Sequence, residues 1–210
     1  MVEQSIWMQK VAADPGHSQW YIERFRAMAS AGDDLAGEAR FVDAMAPRGA
    51  RILDAGCGPG RLGGYLAAAG HDVIGVDVDP ALIAAAEQDY PGPRWLVGDL
   101  AELDLPARGI GEPFDVIVSA GNVMAFLAPS TRVQVLGRLG AHLAVDGRAA
   151  IGFGAGRDYG FAEFLDDVTA AGLAPELLLS TWDLRPFTDD SDFLVAVLRR
   201  ASCLPGVSPA

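Results

Sequence analysis

Three glycines at alternate positions form the motif that most clearly indicates chemistry. Gly56, Gly58 and Gly60 follow the apolar run 51–54 and precede a helical pattern. A glycine-rich turn between a strand and a helix lets a ligand touch the backbone, and the free N–H groups there favour anionic ligand atoms. We therefore predict a cofactor-binding loop, with Asp54 placed to orient it or to meet a cationic ligand.

The spacing of these glycines separates the loop from two other cofactor loops. The dinucleotide fingerprint Gly-x-Gly-x-x-Gly requires a small residue where this chain has Arg61. The phosphate-binding P-loop requires Gly-Lys-Ser/Thr after four spacers, which the segment lacks. A nicotinamide oxidoreductase is therefore disfavoured and is kept only as a weaker alternative.

Polar side chains recur where further strands are predicted to end. Asp77 ends the second strand, where an acidic side chain can accept hydrogen bonds from both hydroxyls of a ribose. Asp99 follows the third strand, and Ser119 and Asn122 end the fourth. Open α/β sheets bind ligands at the carboxyl ends of their strands, so we expect these side chains to border one crevice.

The strands themselves are predicted from short β-branched or apolar runs that alternate with helical patterns. Their bounds are Ala50–Asp54, Asp72–Asp77, Trp95–Val97, Phe114–Ser119, Ala149–Phe153, Pro175–Thr181 and Phe193–Arg199. This alternation predicts an α/β fold with a mainly parallel sheet. The connection around 185–191 is too short for a crossover helix, so the last two strands should form an antiparallel hairpin.

Two core helices are predicted from local signals. Asp79 followed by Pro80 is a typical helix start, and this helix should end near Tyr90. A second helix should begin near Ser130, and a turn at Asp146-Gly147 should lead into the next strand. The predicted buried stripe of the second helix contains Val133, Leu136, Leu139, His142 and Leu143.

The first 46 residues contain no predicted strand. Two helices, Ser18–Ala31 and Leu35–Met45, are expected there as a cap that closes over the crevice. Tyr21 and Arg24 lie three apart on one helix face, where they could contact the cofactor or the substrate, or could simply pack the cap. His17 could face the crevice, or it could be a solvated histidine near the terminus.

Few other residues are candidates for acid–base or metal chemistry. Histidine is the usual general base, but His71 opens a strand and His142 lies on an apolar stripe, so both are interpreted as structural. Asn122 could be catalytic or a turn residue. The two cysteines, Cys57 and Cys203, indicate neither a disulfide framework nor a metal site.

Composition limits the partners that we expect. The 210 residues include 16 basic and 28 acidic side chains, for a formal charge of −12, and 50% are hydrophobic. One domain is the default at this length. The negative charge disfavours nucleic acids and anionic membranes, and no apolar run approaches the roughly 20 residues that span a bilayer. We recognise no export signal and expect a cytoplasmic protein.

Four segments together resemble the first motifs of the class I S-adenosylmethionine-dependent methyltransferases. They are Asp54–Gly60, Asp77, Gly98–Leu100 and Phe114–Ser119. The resemblance covers roughly residues 48–200. With the segments Gly37–Arg40 and Trp182–Leu184, the whole chain is similar to small uncharacterised actinobacterial members of that family.

The resemblance implies a fold and a cofactor. The expected fold is a Rossmann-like, doubly wound, seven-stranded mixed sheet of order 3-2-1-4-5-7-6, with strand 7 antiparallel. A single domain would cover 1–201, with a helical cap over 1–46, an α/β core over 48–200 and a disordered tail over 202–210. The expected cofactor is S-adenosyl-L-methionine.

The resemblance also implies residue roles. The glycine loop would back the methionine and ribose portions of the cofactor, with Asp54 near its amino group and Ser119 at its methionine end. Asp77 would hold the ribose, and Asp99 the adenine amine with Leu100 beside the ring. The predicted cofactor-binding residues are Asp54, Gly56, Cys57, Gly58, Gly60, Asp77, Val78, Asp99, Leu100, Ser119, Tyr21 and Arg24.

The predicted activity is transfer of a methyl group to a small-molecule acceptor by in-line displacement. The fourth motif reads Ser-Ala-Gly-Asn instead of Asn/Asp-Pro-Pro-Tyr/Phe, so base amines and glutamine side chains are not expected as acceptors. His17, Tyr21 and Asn122 are the candidates for catalysis. The alternative is a non-catalytic regulatory or sensor protein that binds the same cofactor. The acceptor and the oligomeric state stay open.

Overall fold

The computed structural model describes residues 2–201, and the predicted disordered tail lies outside the described residues. In this described part of the chain, seven strands form one sheet of order β3-β2-β1-β4-β5-β7-β6. Their bounds are β1 Arg51–Ala55, β2 Asp72–Asp77, β3 Arg94–Val97, β4 Phe114–Ser119, β5 Leu143–Gly154, β6 Leu173–Leu179 and β7 Phe193–Arg200. Strands β1 to β5 are parallel to one another, whereas β7 pairs antiparallel with both β5 and β6. The expected strand order and the antiparallel hairpin are confirmed.

Within residues 2–201, seven α-helices surround this sheet. They are α1 Ile6–Ala13, α2 His17–Ala31, α3 Gly37–Met45, α4 Arg61–Ala68, α5 Pro80–Asp89, α6 Arg132–His142 and α7 Phe161–Ala170. The predicted start of α5 is confirmed, because Asp79 Oδ1 accepts from the Ala81 N–H at 2.9 Å and Pro80 is the first helical residue. Among residues 2–201 no helix combines the length and apolarity needed to cross a membrane.

The central strands β1 and β4 are buried on both faces. Alternate residues of each strand point to different apolar clusters: Leu53 and Ile117 belong to one, and Ile52 and Val116 to the other. Such near-continuous apolar strands are typical of a parallel sheet covered by helices on both sides. The carboxyl ends of these rigid strands provide a fixed base for a site.

The N-terminal segment contains three helices where the sequence predicted two. Helix α1 has eight residues, and its Ser5 side chain accepts from the Met8 N–H at 3.3 Å. A helix this short is unstable by itself, so its stability comes from packing of the buried Trp7, which periodicity does not reveal. Helix α3 packs on a face of the sheet through Ala39 and Val42, and α1 and α2 lie at the carboxyl edge.

Two details of the α6–β5 region also differ from the prediction. Strand β5 begins at Leu143 and contains Asp146-Gly147, which were predicted to form a turn before it. The register between β4 and β5 shifts at this point, and Gly147 passes so close to Phe114 that a Cβ would lie 2.8 Å from its carbonyl oxygen. Val133, predicted on the buried stripe of α6, is 40% exposed.

Candidate functional site

The carboxyl ends of β1, β2 and β4 border a cavity that contains about 870 Å³ of empty space, including its open mouth. The start of α1 and helix α2 contribute Ser5, Trp7, Tyr21 and Phe25 to its walls. We call this space the cavity. Its walls comprise Ser5, Trp7, Tyr21, Phe25, Asp54, Gly56, Cys57, Gly58, Pro59, Arg61, Leu62, Asp77, Val78, Leu82, Asp99, Leu100, Ala120, Gly121, Val123, Phe126 and Leu127.

The glycines of the loop after β1 are required for different reasons. Gly58 has a φ of +54°, which favours glycine, and a Cβ there would lie at the cavity wall in van der Waals contact with the Tyr21 ring, 3.8 Å away. Gly60 has a φ of +86°, and a Cβ there would lie 2.7 Å from the Cβ of Ala86. Gly58 therefore faces the cavity, whereas Gly60 allows the loop to pack against α5.

Asp77 is held in one orientation at the end of β2. Its Oδ2 accepts from the Gly58 N–H at 2.9 Å, and its Oδ1 accepts from the Asp79 N–H at 3.0 Å. Burial raises the pKa of Asp77 to about 6, although the backbone hydrogen bonds oppose that rise. Each oxygen keeps a lone pair, so the carboxylate can accept from a pair of neighbouring hydroxyls.

Asp54 lies deeper in the cavity wall, where it is 2% exposed. Its Oδ2 accepts from the Gly63 N–H at 3.0 Å, which connects it to the first turn of α4. Burial raises the pKa of Asp54 to about 7, and the nearby Arg61 reduces the rise. Because this carboxyl group changes charge near neutral pH, a cation bound nearby would favour its ionised form.

The ion pair between Arg61 and Glu38 was not predicted as part of the site. The Arg61 guanidinium donates to both carboxylate oxygens of Glu38 and to the Leu35 carbonyl oxygen, the last at 2.6 Å. It also lies 5.4 Å from the centre of the Phe25 ring. The sequence shows Arg61 only as a departure from the dinucleotide fingerprint, because its partner Glu38 lies on a different helix, α3.

An aromatic wall completes the cavity. The Trp7 ring lies edge-on to the rings of Tyr21 and Phe126, at 5.1 and 5.6 Å between centres, and Tyr21 lies 4.9 Å from Phe25. Burial raises the pKa of Tyr21, so its hydroxyl stays protonated at neutral pH. Sequence reasoning identified only Tyr21 among these four, because Trp7 belongs to the unpredicted helix and Phe126 to a short 3-10 helix.

Most of the predicted cofactor-binding residues meet at the cavity. Those in its walls are Tyr21, Asp54, Gly56, Cys57, Gly58, Asp77, Val78, Asp99 and Leu100. Burial raises the pKa of the Cys57 thiol well above its ordinary value, so it remains protonated at neutral pH. Asp99 Oδ1 accepts from the Ala101 N–H at 2.8 Å, which leaves its other oxygen available.

Five predicted site residues lie outside the walls: Gly60, Ser119, Arg24, His17 and Asn122. Ser119 is buried, and its hydroxyl has no hydrogen-bond partner within residues 2–201. Arg24 is exposed, 5.8 Å from the Trp20 ring. The His17 ring stacks on Trp20 at 5.6 Å, and Asn122 Oδ1 accepts from the Gly154 N–H at 2.8 Å.

The other two histidines have structural contacts away from the cavity. His142 Nε2 accepts from the Leu105 N–H at 3.2 Å, and His71 Nε2 lies 3.0 Å from Asp43 Oδ1. Both contacts agree with the structural interpretation of these residues. Within the described part of the chain, no group of three or more His, Cys, Asp or Glu side chains is placed to hold a metal ion.

Comparisons with known proteins point to one chemistry. Residues 52–147 match a family of methyltransferase domains. The solved structure of a TehB-like S-adenosylmethionine-dependent methyltransferase from Corynebacterium glutamicum is 54% identical in sequence, with a TM-score of 0.84. The match covers 89% of this chain and 100% of that one. A 1,6-didemethyltoxoflavin-N1-methyltransferase from Burkholderia thailandensis shares the fold at 23% identity, with a TM-score of 0.63 over 92% of this chain and 90% of that one.

Curated relatives match over shorter spans. Magnesium-protoporphyrin O-methyltransferase of Rhodobacter capsulatus is 37% identical over 97 residues, which are 44% of this chain and 40% of that protein. The chain thus matches less than half the length of this relative. The family is shown by the 54% identity to the Corynebacterium protein, whose solved chain is matched over its full length. The chain belongs to the class I S-adenosylmethionine-dependent methyltransferases, and S-adenosylmethionine is its cofactor.

Proposed function

We propose that this chain transfers the methyl group of S-adenosylmethionine to a small-molecule acceptor held in the cavity. The observation that carries the proposal is the Asp77 carboxylate, fixed by two backbone N–H groups beside a glycine that leaves its Cβ space open to the cavity. When bound, the cofactor supplies a methyl group on a positively charged sulfur. The acceptor's lone pair would form the new bond to the methyl carbon, the carbon–sulfur electron pair would return to sulfur, and an acceptor that carries a proton would release it to solvent.

The described side chains fit the parts of this cofactor. Asp77 would accept from both ribose hydroxyls, with Val78 beside the sugar. The free oxygen of Asp99 would accept from the adenine amine, and the buried Leu100 would pack against the ring. Asp54 and the backbone around Gly58 would face the charged methionine end. The proposed contacts of Gly60, Ser119 and Arg24 stay predictions, because these three residues lie outside the cavity walls.

Around the acceptor, the cavity walls can hold the reacting atom in place and exclude water, but they contain few groups suited to acid–base catalysis. Within residues 2–201 no histidine lines the cavity. The Tyr21 ring spans from Gly58 towards Gly121, with its hydroxyl 3.9 Å from where a Gly121 Cβ would lie, so it can donate to an acceptor. A sulfonium methyl is already activated, so holding the nucleophile in line and excluding water supply much of the rate.

A small acceptor fits these walls better than a nucleic acid does. The formal charge of −12 opposes a phosphate backbone. A neighbour of the same fold was solved with 1,6-didemethyltoxoflavin bound, which supports small planar acceptors as the first compounds to test. The aromatic rings of Tyr21 and Phe25 would pack against such a ring.

The test is methyl transfer from labelled S-adenosylmethionine by the full chain. The acceptors would be a panel of small phenols, amines, thiols and carboxylic acids, with total RNA as a separate arm. We expect labelled product in the small-molecule arm, and much less of it with Asp77→Ala when the cofactor is kept below its dissociation constant. Cofactor binding without transfer to any acceptor would favour the sensor alternative, and label in RNA would contradict the acceptor class.

A further inference from the structure

The carboxylate and the N–H of Asp79, the residue that precedes α5, together make four hydrogen bonds. Its Oδ2 accepts from Trp7 Nε1 of α1 at 2.9 Å and from Ser18 Oγ of α2 at 2.5 Å. Its Oδ1 accepts from the Ala81 N–H at 2.9 Å, and its own N–H donates to Asp77 Oδ1 at 3.0 Å. One residue therefore connects two N-terminal helices, the start of α5 and the carboxylate assigned to the ribose.

Capping of α5 does not explain this arrangement. The cap uses Oδ1 alone, as the sequence predicts for an aspartate at that position. Oδ2 is used by donors that lie 72 and 61 residues away in the chain. Asp79 is 2% exposed, and a buried carboxylate is costly unless its oxygens have partners. The donors from α1 and α2 therefore stabilise the Asp79 carboxylate, whose Oδ2 would otherwise be buried without a hydrogen-bond partner.

One of these donors, Trp7, belongs to the aromatic wall of the cavity. Trp7 lines the cavity and packs edge-on against Tyr21 and Phe126, so a hydrogen bond that holds Trp7 also supports its contacts with those rings. A further link between α2 and α5, from Arg26 to Asp89 at 2.8 Å, is an ion pair of which the Arg26 side chain is 42% exposed. Exposed pairs of this kind contribute little. Within residues 2–201, the bonds from Trp7 and Ser18 to Asp79 are the buried side-chain hydrogen bonds that connect α1 and α2 to another part of the chain.

We propose that Asp79 is a positioning residue that couples closure of α1 and α2 over the cavity to occupation of the ribose carboxylate, Asp77. The inference rests on the proposed function, because it takes the ligand of Asp77 to be the cofactor ribose. A ribose bound to Asp77 holds segment 77–79 in the geometry in which Asp79 Oδ2 faces both donors. Coupling between two sites is reciprocal. The factor by which the bound cofactor favours closure of α1 and α2 is therefore the factor by which closure strengthens cofactor binding, and removal of the donors loses that gain in affinity.

Three variants separate the coupling from the helix cap. Ser18→Ala removes one donor and leaves Asp79 intact. Asp79→Ser keeps a side chain that caps α5 well but lacks the second oxygen that accepts from α1 and α2. Arg26→Ala is the matched control, because it removes a polar link between α2 and α5 that does not involve Asp79.

The experiment measures S-adenosylhomocysteine affinity by calorimetry and amide hydrogen exchange of residues 6–31 with and without that ligand. In the unaltered chain we expect the ligand to slow exchange in this segment. Ser18→Ala and Asp79→Ser should each weaken binding by about fivefold to twentyfold and lose most of that slowing. Arg26→Ala should change affinity by less than about twofold. The double variant Ser18→Ala/Asp79→Ser should bind no more weakly than Asp79→Ser, because both changes remove the same hydrogen bond.

Two results would overturn the coupling while the proposed function stands. One is wild-type affinity and ligand-induced slowing in Asp79→Ser, which would reduce Asp79 to a helix cap. The other is additive losses in the double variant. If Asp79→Ser does not fold, Ser18→Ala decides the question alone. A wild-type chain that fails to bind S-adenosylhomocysteine would instead contradict the proposed function.

Discussion

At the scale of single residues, Asp77 is the side chain whose loss should weaken cofactor binding most. Asp77→Ala removes an acceptor for two ribose hydroxyls, and hydrogen bonds to a charged group contribute about 1.5–3 kcal/mol. We therefore expect S-adenosylhomocysteine to bind about 10- to 100-fold more weakly, as measured by calorimetry. Asp72→Ala is the control, since Asp72 lies in the same strand at its opposite, exposed end. Equal affinities of the two variants would contradict the assignment.

The raised pKa values of the two buried carboxyl groups predict how binding depends on pH. Burial raises the pKa of Asp77 to about 6 and that of Asp54 to about 7, so both gain protons as the pH falls from 8 to 5. Ribose hydroxyls and a cationic ligand favour the ionised forms, so affinity for S-adenosylmethionine should fall over this range, by about tenfold from Asp77 alone. Calorimetry at several pH values measures it, and a flat profile would contradict the prediction.

The stability of the unliganded chain should change with pH in the direction opposite to that of cofactor affinity. A carboxyl group whose pKa is higher in the folded state than in the unfolded chain binds protons more tightly when folded. Asp54 and Asp77 therefore stabilise the fold at the lower pH, and that contribution is lost as the pH rises through about 6 and 7. Urea midpoints of the unliganded chain should rise between pH 8 and pH 5.5. Asp54→Asn should flatten this change, and an unchanged slope in that variant would contradict the assignment.

At the scale of elements, the loop between β1 and α4 acts through its backbone. Gly58→Val should abolish cofactor binding, because the side chain would enter the cavity in front of Tyr21. Gly109→Val is the matched control: Gly109 has a φ of +78° and no atom within 4 Å of its Cβ position, so it suffers similar backbone strain away from the site. Both variants should have similar melting temperatures in thermal unfolding. Normal S-adenosylhomocysteine binding by Gly58→Val would show that the loop is only a turn.

At the scale of the whole molecule, cofactor binding should raise the melting temperature. A ligand present at 100 times its dissociation constant stabilises the folded state by about 2.7 kcal/mol. For a chain of this size that corresponds to a rise of about 5–10 °C. Differential scanning calorimetry with S-adenosylhomocysteine measures the shift, and NADH is the control ligand. A comparable shift with NADH would contradict the distinction drawn from Arg61.

Local features of the sequence determined much of the architecture. Strand periodicity, the Asp79-Pro80 helix start and the short final connection are properties of neighbouring residues, so they predicted most strands, the start of α5 and the antiparallel hairpin. The glycine spacing predicted the loop, because left-handed backbone and close approach both require glycine there. The complete strand order came from the family resemblance, since periodicity does not specify which strands are neighbours.

Tertiary structure alone decided how the cavity is closed. Helix α1 is too short to be stable from its own sequence, and its Trp7 bonds to Asp79 across 72 residues of chain. Arg61 reaches Glu38 across 23 residues, and the early start of β5 depends on its pairing with β4. Burial, long-range hydrogen bonds and strand register exist only after distant segments have packed together. For that reason the sequence predicted the glycine loop and the carboxylates that border the cavity, whereas the aromatic wall and the contacts that hold it became visible only in the folded chain.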